Sequence, residues 1–210
     1  EIKRGMTMKL GFASDHRGYH LKEELIKHFS NKLEVVDYGT NSEESTDYPD
    51  YAFKLGESVV KKEVDLGVAI CGSGIGISIA CNKVKGVRCA KVDSIEDVTA
   101  TRKDNDANII AFGENTNPEA AINYIEAFNM ASVSNYYSRT LRTNVSYKIN
   151  KLPLKYFDQH ETGDILSRIT NDIDTIHMNL NQSLDTLIAN LTLFIGSIVM
   201  MFITNWVMIS

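Results

Sequence analysis

The stretch Cys71-Gly72-Ser73-Gly74-Ile75-Gly76-Ile77-Ser78 is the part of this sequence best suited to chemistry. It follows an apolar run, Leu66 to Ile70, and opens a segment with helical character. Its three glycines let backbone N–H groups converge on an anion at a helix N-terminus, where the helix dipole also favours negative charge. Such a cradle suits an oxyanion or a phosphate. No Lys-Ser/Thr follows, so it is not a Walker A loop, and it departs from G-x-G-x-x-G spacing although Asp93 lies about where a ribose-binding acid would be expected. At the strand-to-helix junction the same field would stabilise the Cys71 thiolate as a base or nucleophile. The alternative is a buried strand-end cysteine behaving as a small hydrophobe.

Three other clusters could serve such a site. Ser14-Asp15-His16-Arg17-Gly18 follows the first apolar run, and its acid and imidazole could grip a hydroxyl and an anionic group; equally, Asp15 could cap a helix. Thr46-Asp47-Tyr48-Pro49-Asp50 opens another helical segment, with Asp47 a plausible cap. Arg102 to Asn108 is a charged segment ahead of the last strand, of the kind that is usually solvated surface.

The elements that must position these residues alternate. Lys9 to Ala13, Leu33 to Asp37, Leu66 to Ile70, Val87 to Val92 and Asn108 to Phe112 read as five strands, several with the continuous apolar character of strands buried on both faces. Helical segments are predicted over Tyr19 to Ser30, Pro49 to Lys62, Gly76 to Lys83, Ile95 to Lys103 and Pro118 to Phe128, two of them with Pro in the first turn. Five such units imply a parallel, doubly wound, Rossmann-like α/β/α sandwich, whose ligands bind at the carboxyl ends of the strands.

Composition excludes some functions. A net charge of -5 and the lack of a Lys/Arg block argue against a general nucleic-acid binder. Three cysteines, Cys71, Cys81 and Cys89, show no C-x-x-C spacing, so neither a disulfide frame nor a zinc site is indicated and a reducing cytosol fits this part of the chain. Glu1 to Thr7 carries no secretory signal and is expected to be a non-native leader, with Met6 or Met8 as start.

The clusters together are more specific than any one of them. SDHRGYHLK at Ser14 to Lys22, YGT at Tyr38 to Thr40, STDYPDYA at Ser45 to Ala52, CGSGIGISIACNK at Cys71 to Lys83 and NDANIIAFG at Asn105 to Gly113 have the order and spacing of one family. Residues 8–128 thus resemble the ribose-5-phosphate isomerase B family, with its related allose and galactose phosphate isomerases. The resemblance implies aldose–ketose isomerisation through a cis-enediolate, without metal or organic cofactor, by a cytoplasmic homodimer whose site draws on both subunits. It implies Cys71 as the proton-transferring group, Ser73 in place of the usual Thr, and backbone donors of Gly72, Gly74, Ile75 and Gly76 around the oxyanion. Asp15 and Asn105 would orient sugar hydroxyls, Tyr48 would line the ring site and His16 would meet the phosphate. Asp104 stands where the family has His for ring opening. The family's C-terminal G-G-R-H-x-x-R segment, whose arginines clamp the phosphate, is missing after Phe128, which implies weakened phosphate binding.

Beyond Phe128 the vocabulary changes. Residues 129–210 are expected to form an all-α segment, and from Thr186 to Ile209 there is no charged side chain. Leu187 to Ile209 is long enough to cross a bilayer, which takes about 20 residues. LRTNVSYKINKLPLKYFDQHETGDILSRITNDIDTIHMNLNQSL from Leu141 to Leu184 resembles the transmembrane domain of ABC exporters. That implies a coupling helix about Tyr156 to Leu166 and a membrane-inserted tail with a cytoplasmic basic flank. No Walker A motif accompanies it, so this piece has no ATP site of its own. Three readings follow: an isomerase with an added tail, a transporter fragment, or an in-frame join of two incomplete genes.

Overall fold

The computed structural model describes residues 8–153 continuously and scattered positions from 155 to 201. The expected leader, 1–7, lies outside the described residues. The chain divides into two compact units, Glu1–Ser132 and Val133–Ser210.

In the first unit β1 (Lys9–Ser14), α1 (Tyr19–Phe29), β2 (Glu34–Asp37), α2 (Tyr48–Val60), β3 (Leu66–Cys71), α3 (Ile75–Cys81), β4 (Cys89–Lys91), α4 (Ile95–Asn105) and β5 (Ile109–Gly113) alternate, and α5 (Pro118–Ile149) follows. The five strands form one parallel sheet in the order β2-β1-β3-β5-β4. All five expected strands and five expected helices are present. The expected strand Val87 to Val92 keeps ladder register with β5 only over Cys89–Lys91. The last helix does not stop at Phe128 but runs 32 residues, because no Gly or Pro interrupts the chain before Leu152-Pro153.

Side-chain size differs between the two faces of the sheet. Leu10 and Phe12 of β1, Leu66, Val68 and Ile70 of β3, and Ile110 and Phe112 of β5 share one core with Leu21, Leu25 and Phe29 of α1, Val98 of α4 and Ala121, Ile125 and Phe128 of α5. Ala13, Ala69, Cys71, Ile109 and Ala111 share the other with Leu55 and Val59 of α2 and Ile77 and Cys81 of α3. The alternation follows from the two-residue period of a strand. The small face lets α2 approach closely: a Cβ added at Gly11 would lie 2.7 Å from Leu55 Cδ1. The central strands β1, β3 and β5 are almost wholly buried, whereas the short edges β2 and β4 are partly exposed.

Because α1 and α3 lie on opposite faces, the chain leaves β1 and β3 in opposite directions. The crevice between their carboxyl ends is a topological switch point, the usual place for a ligand in such sheets. A second reversal falls between β3 and β5, since α3 and α5 also cover opposite faces.

Lys22 on α1 is fully buried yet charged, and its ammonium pairs with Asp37 at the end of β2 and with Glu23. It lies beneath the loop after β2, where a Cβ added at Gly39 would come within 2.9 Å of its Cδ. The pair ties α1 and the end of β2 together below the site.

The second unit begins inside α5. Buried residues of this helix occur at Ala121, Tyr124, Ile125, Phe128 and Ser132, the i, i+3, i+4, i+7 pattern of a helix lying on a core. From Val133 to Ile149 the helix continues without a buried residue. The coupling helix expected about Tyr156 to Leu166 and the span from Leu187 to Ile209 fall mainly outside the described residues. Among the described residues no helix is long and apolar enough to cross a membrane.

Candidate functional site

β3 ends at Cys71, which is 4 % exposed and faces the α2 and α3 side of the sheet. Its sulfur accepts the N–H of Gly74 at 3.2 Å. The turn needs glycine at 74, where φ is +76° and an added Cβ would lie 2.6 Å from the Phe112 carbonyl carbon. The first turn of α3 therefore presses against β5 and aims a backbone N–H at the Cys71 sulfur.

The expected oxyanion cradle is more occupied than its glycines imply. The Gly74 N–H is engaged by Cys71, and the Ile75 N–H is donated to Ser73 Oγ at 3.2 Å. Ile75 itself is an exposed side chain on α3. These two donors thus organise the loop, because a short turn satisfies its own amides wherever a side-chain acceptor is within reach.

The β1 edge contributes next. Asp15 is buried, and its Oδ1 accepts the N–H groups of Arg17 and Gly18 at 3.0 and 3.1 Å. It thereby builds the turn into α1, although Gly18, not Asp15, is the N-cap residue. His16 is half-buried, with Nδ1 3.1 Å from both the N and the O of Thr46. This contact joins the β1–α1 loop to the start of α2. There Asp47 occupies the expected N-cap position in extended conformation, but its side chain makes no cap bond. Tyr48 lies over the glycine loop: a Cβ at Gly76 would be 2.8 Å from its Cζ.

Asp104 and Asn105 are placed elsewhere. They lie in the last turn of α4 and are exposed, at the amino edge of the sheet. The Asn108 carbonyl there accepts from Gly67 at the start of β3, and Asp106 pairs with Arg88 ahead of β4. Asp15, His16, Tyr48 and Cys71 meet at the carboxyl edge. One chain does not bring the two groups together, since a parallel strand and the end of its preceding helix lie at opposite edges. Asp104 is also helical rather than part of a loop.

Two residues were missed by the sequence reading. Arg17 runs over the glycine loop, so that a Cβ added at Gly72 would be 2.9 Å from its Cζ, and its guanidinium pairs with Glu114 after β5. The Glu114 N–H is donated to the Cys71 carbonyl at 2.9 Å. Glu114 raises the Arg17 pKa above its ordinary value through the hydrogen bond and its charge, with Asp15 and Cys71 adding to the same direction. Next to this pair, at the β3–β5 reversal, opens a cleft of about 400 Å³ lined by Gly72, Ser73, Asp93, Asn115, Asn117 and Tyr124 among others. Arg17 stands inside the SDHRGYHLK run and Glu114 directly follows Phe112-Gly113; only the strand order unites them.

The fold and site define a doubly wound α/β protein with a backbone-supported thiol at its switch point. The chain belongs to the ribose/galactose isomerase family, whose model matches residues 10–143. The model of the ABC transporter transmembrane region matches residues 119–209, overlapping the first along α5. A putative sugar phosphate isomerase of Bacillus subtilis is 50 % identical over 110 residues, which is 51 % of this chain and 73 % of the relative. Ribose-5-phosphate isomerase B of Escherichia coli is 44 % identical over 106 residues, 50 % of this chain and 71 % of that one. Among solved structures, ribose-5-phosphate isomerase B of Clostridium thermocellum superposes with a TM-score of 0.56 at 43 % identity, covering 58 % of this chain and 83 % of its own. The Mycoplasma genitalium enzyme with bound ribulose 5-phosphate gives 0.55 at 36 % identity, covering 59 % and 84 %.

Proposed function

We propose that residues 8–128 carry an aldose–ketose isomerase that interconverts ribose 5-phosphate and ribulose 5-phosphate. The observation that carries this reading is the buried Cys71 sulfur accepting the Gly74 N–H at the carboxyl edge, inside a family whose relatives bear that enzyme's name. Cys71 as thiolate takes the proton from C2 of the open-chain aldose, and the C–H electron pair forms the C1–C2 double bond of a cis-enediolate while charge gathers on the C1 oxygen. Transfer of the O2 proton to O1 lets the O2 electron pair form the C2 carbonyl as the first proton returns to C1, which regenerates the thiolate and yields the ketose, a general acid–base step. Backbone N–H groups of Gly72, Ser73 and Gly76 meet the developing oxyanion, commonly the largest catalytic contribution. Gly74 and Ile75 serve by holding the sulfur and the Ser73 hydroxyl. Asp15 and Tyr48 position sugar hydroxyls, and His16 faces the anionic end.

Asp104 and Asn105 join such a site only from a second copy of the chain, and a homodimer supplies them. In that arrangement Asn105 binds a hydroxyl and Asp104 exchanges the ring-opening proton. The test is turnover of ribose 5-phosphate by the full chain and by Cys71→Ala. Turnover that Cys71→Ala lowers by less than about tenfold would remove Cys71 from the proton path, since a positioned base contributes about 10²–10⁴.

The match over residues 119–209 favours a second reading for the remaining residues: a piece of an ABC exporter membrane domain joined in frame to the isomerase. Leu191, Leu193, Phe194, Met200 and Met201 are all more than half exposed, which supports an apolar surrounding for them. A full chain that stays monodisperse without detergent would count against it.

A further inference from the structure

We propose that Arg17 is a substrate-binding residue that takes the substrate's phosphate in exchange for the Glu114 carboxylate. The proposal rests on the sugar-phosphate reading of the site. The Arg17 backbone N–H, three residues beyond the end of β1, is held by the Asp15 carboxylate at 3.0 Å. Its side chain lies across Gly72, where any Cβ would collide with both Cζ and Nη1 at 2.9 Å. The absence of a side chain at 72 thus makes the seat for the guanidinium.

The guanidinium ends on Glu114, which the Cys71 carbonyl anchors through the Glu114 N–H. Arg17 therefore lies between the Cys71 crevice and the cleft lined by Gly72, Ser73, Asn115 and Asn117. The Arg17 side chain is 57 % exposed and that of Glu114 is 21 % exposed, so the pair is reachable from solvent. An exposed arginine–carboxylate pair is weakly held. A phosphate dianion brings more charge and three acceptor oxygens to the same planar fork. Glu114 thus acts as a competing internal anion, and its charge opposes the incoming phosphate.

The two partners should then have opposite effects when changed. The full chain, Arg17→Ala, Arg17→Lys and Glu114→Gln are titrated calorimetrically with ribose 5-phosphate, inorganic phosphate and unphosphorylated ribose. Arg17→Ala should weaken ribose 5-phosphate binding by about tenfold or more, the scale of a charge-assisted hydrogen bond, with Arg17→Lys between it and the parent. Glu114→Gln should tighten ribose 5-phosphate and inorganic phosphate by about three- to tenfold. Ribose affinity should stay within about twofold in all of them. Equal weakening by Arg17→Ala and Glu114→Gln would mean that the bridge only shapes the loop, and would overturn the proposal. So would an unchanged Arg17→Ala, or no binding of ribose 5-phosphate at all. If the affinities move as stated while no turnover occurs, the isomerase reading fails and the role of Arg17 stands; turnover with unmoved affinities gives the reverse.

Discussion

Gly74 shows how much of the site hangs on one backbone conformation. A left-handed φ costs an L-residue about 1–2 kcal/mol, and here the added methyl also meets the Phe112 backbone. Gly74→Ala should lower unfolding free energy in urea by about 3 kcal/mol or more and abolish turnover, because the N–H that faces the Cys71 sulfur would move. Cys89 offers a pH handle. Hydrogen bonding to Cys81, then burial, push its thiol well above the ordinary value of 9.0. As pH rises past 9.0 the unfolded chain releases this proton while the folded chain keeps it, so the folded state binds more protons and stability falls with pH. Urea midpoints should drop between pH 8 and pH 10, and Cys89→Ser should remove part of that drop; an identical slope in the variant would exclude the thiol as its source. That Cys71, Asp15, His16 and Tyr48 gather at one edge of the sheet was legible because each ends or follows a strand or opens a helix at the carboxyl edge. Arg17 and Glu114 were not, because 97 residues separate them and no local pattern encodes a sheet order.

At the scale of elements, strands were legible where burial on both faces makes a continuous apolar run, as in Leu66 to Ile70. β4 was overestimated chiefly at its start, where Val87 is apolar and buried but its N–H is donated back to the Val84 carbonyl and not to a strand, whereas the Val92 N–H still reaches the Ala111 carbonyl of β5. α5 was underestimated for the converse reason. Its apolar periodicity ends with the core at Ser132, but being helical and being buried are separate properties, and Val133 to Ile149 is helical without burial. α4 depends on a local device: Ser94 Oγ accepts the Asp97 N–H at 3.1 Å, while Glu96 and Asp97 in its first turn and Arg102 and Lys103 in its last complement its dipole. Ser94→Ala should cost about 1 kcal/mol, read as a lower urea midpoint, and Ser94→Asp should restore most of it. Equal loss in both would argue that the cap bond is not what Ser94 supplies.

For the whole molecule, the separation of Asp104 and Asn105 from Cys71 makes a sharp expectation. If each site takes Cys71 from one copy and Asn105 from another, mixing inactive Cys71→Ala chains with inactive Asn105→Ala chains should restore activity. Random reassortment of a two-fold dimer makes half the dimers mixed, each with one intact site, so about one quarter of parental activity should return. No recovery after unfolding and refolding the mixture would confine the site to one chain. The two family matches share residues 119–143, all within α5, so the same helical residues satisfy both descriptions.

The strand order carries one more consequence, for the timing of synthesis. β5, the last strand among the described residues, enters between β3 and β4 and is the only sheet neighbour β4 has among them. A nascent chain that has emerged only as far as Asn108 holds β4 without a hydrogen-bonded partner and β3 with one open edge, the state most prone to pairing with the wrong strand. The glycine loop cannot be completed either, since Phe112 and Gly113 form the wall against which its turn is set. On the ribosome, then, the first half of the site waits for the end of its own sheet.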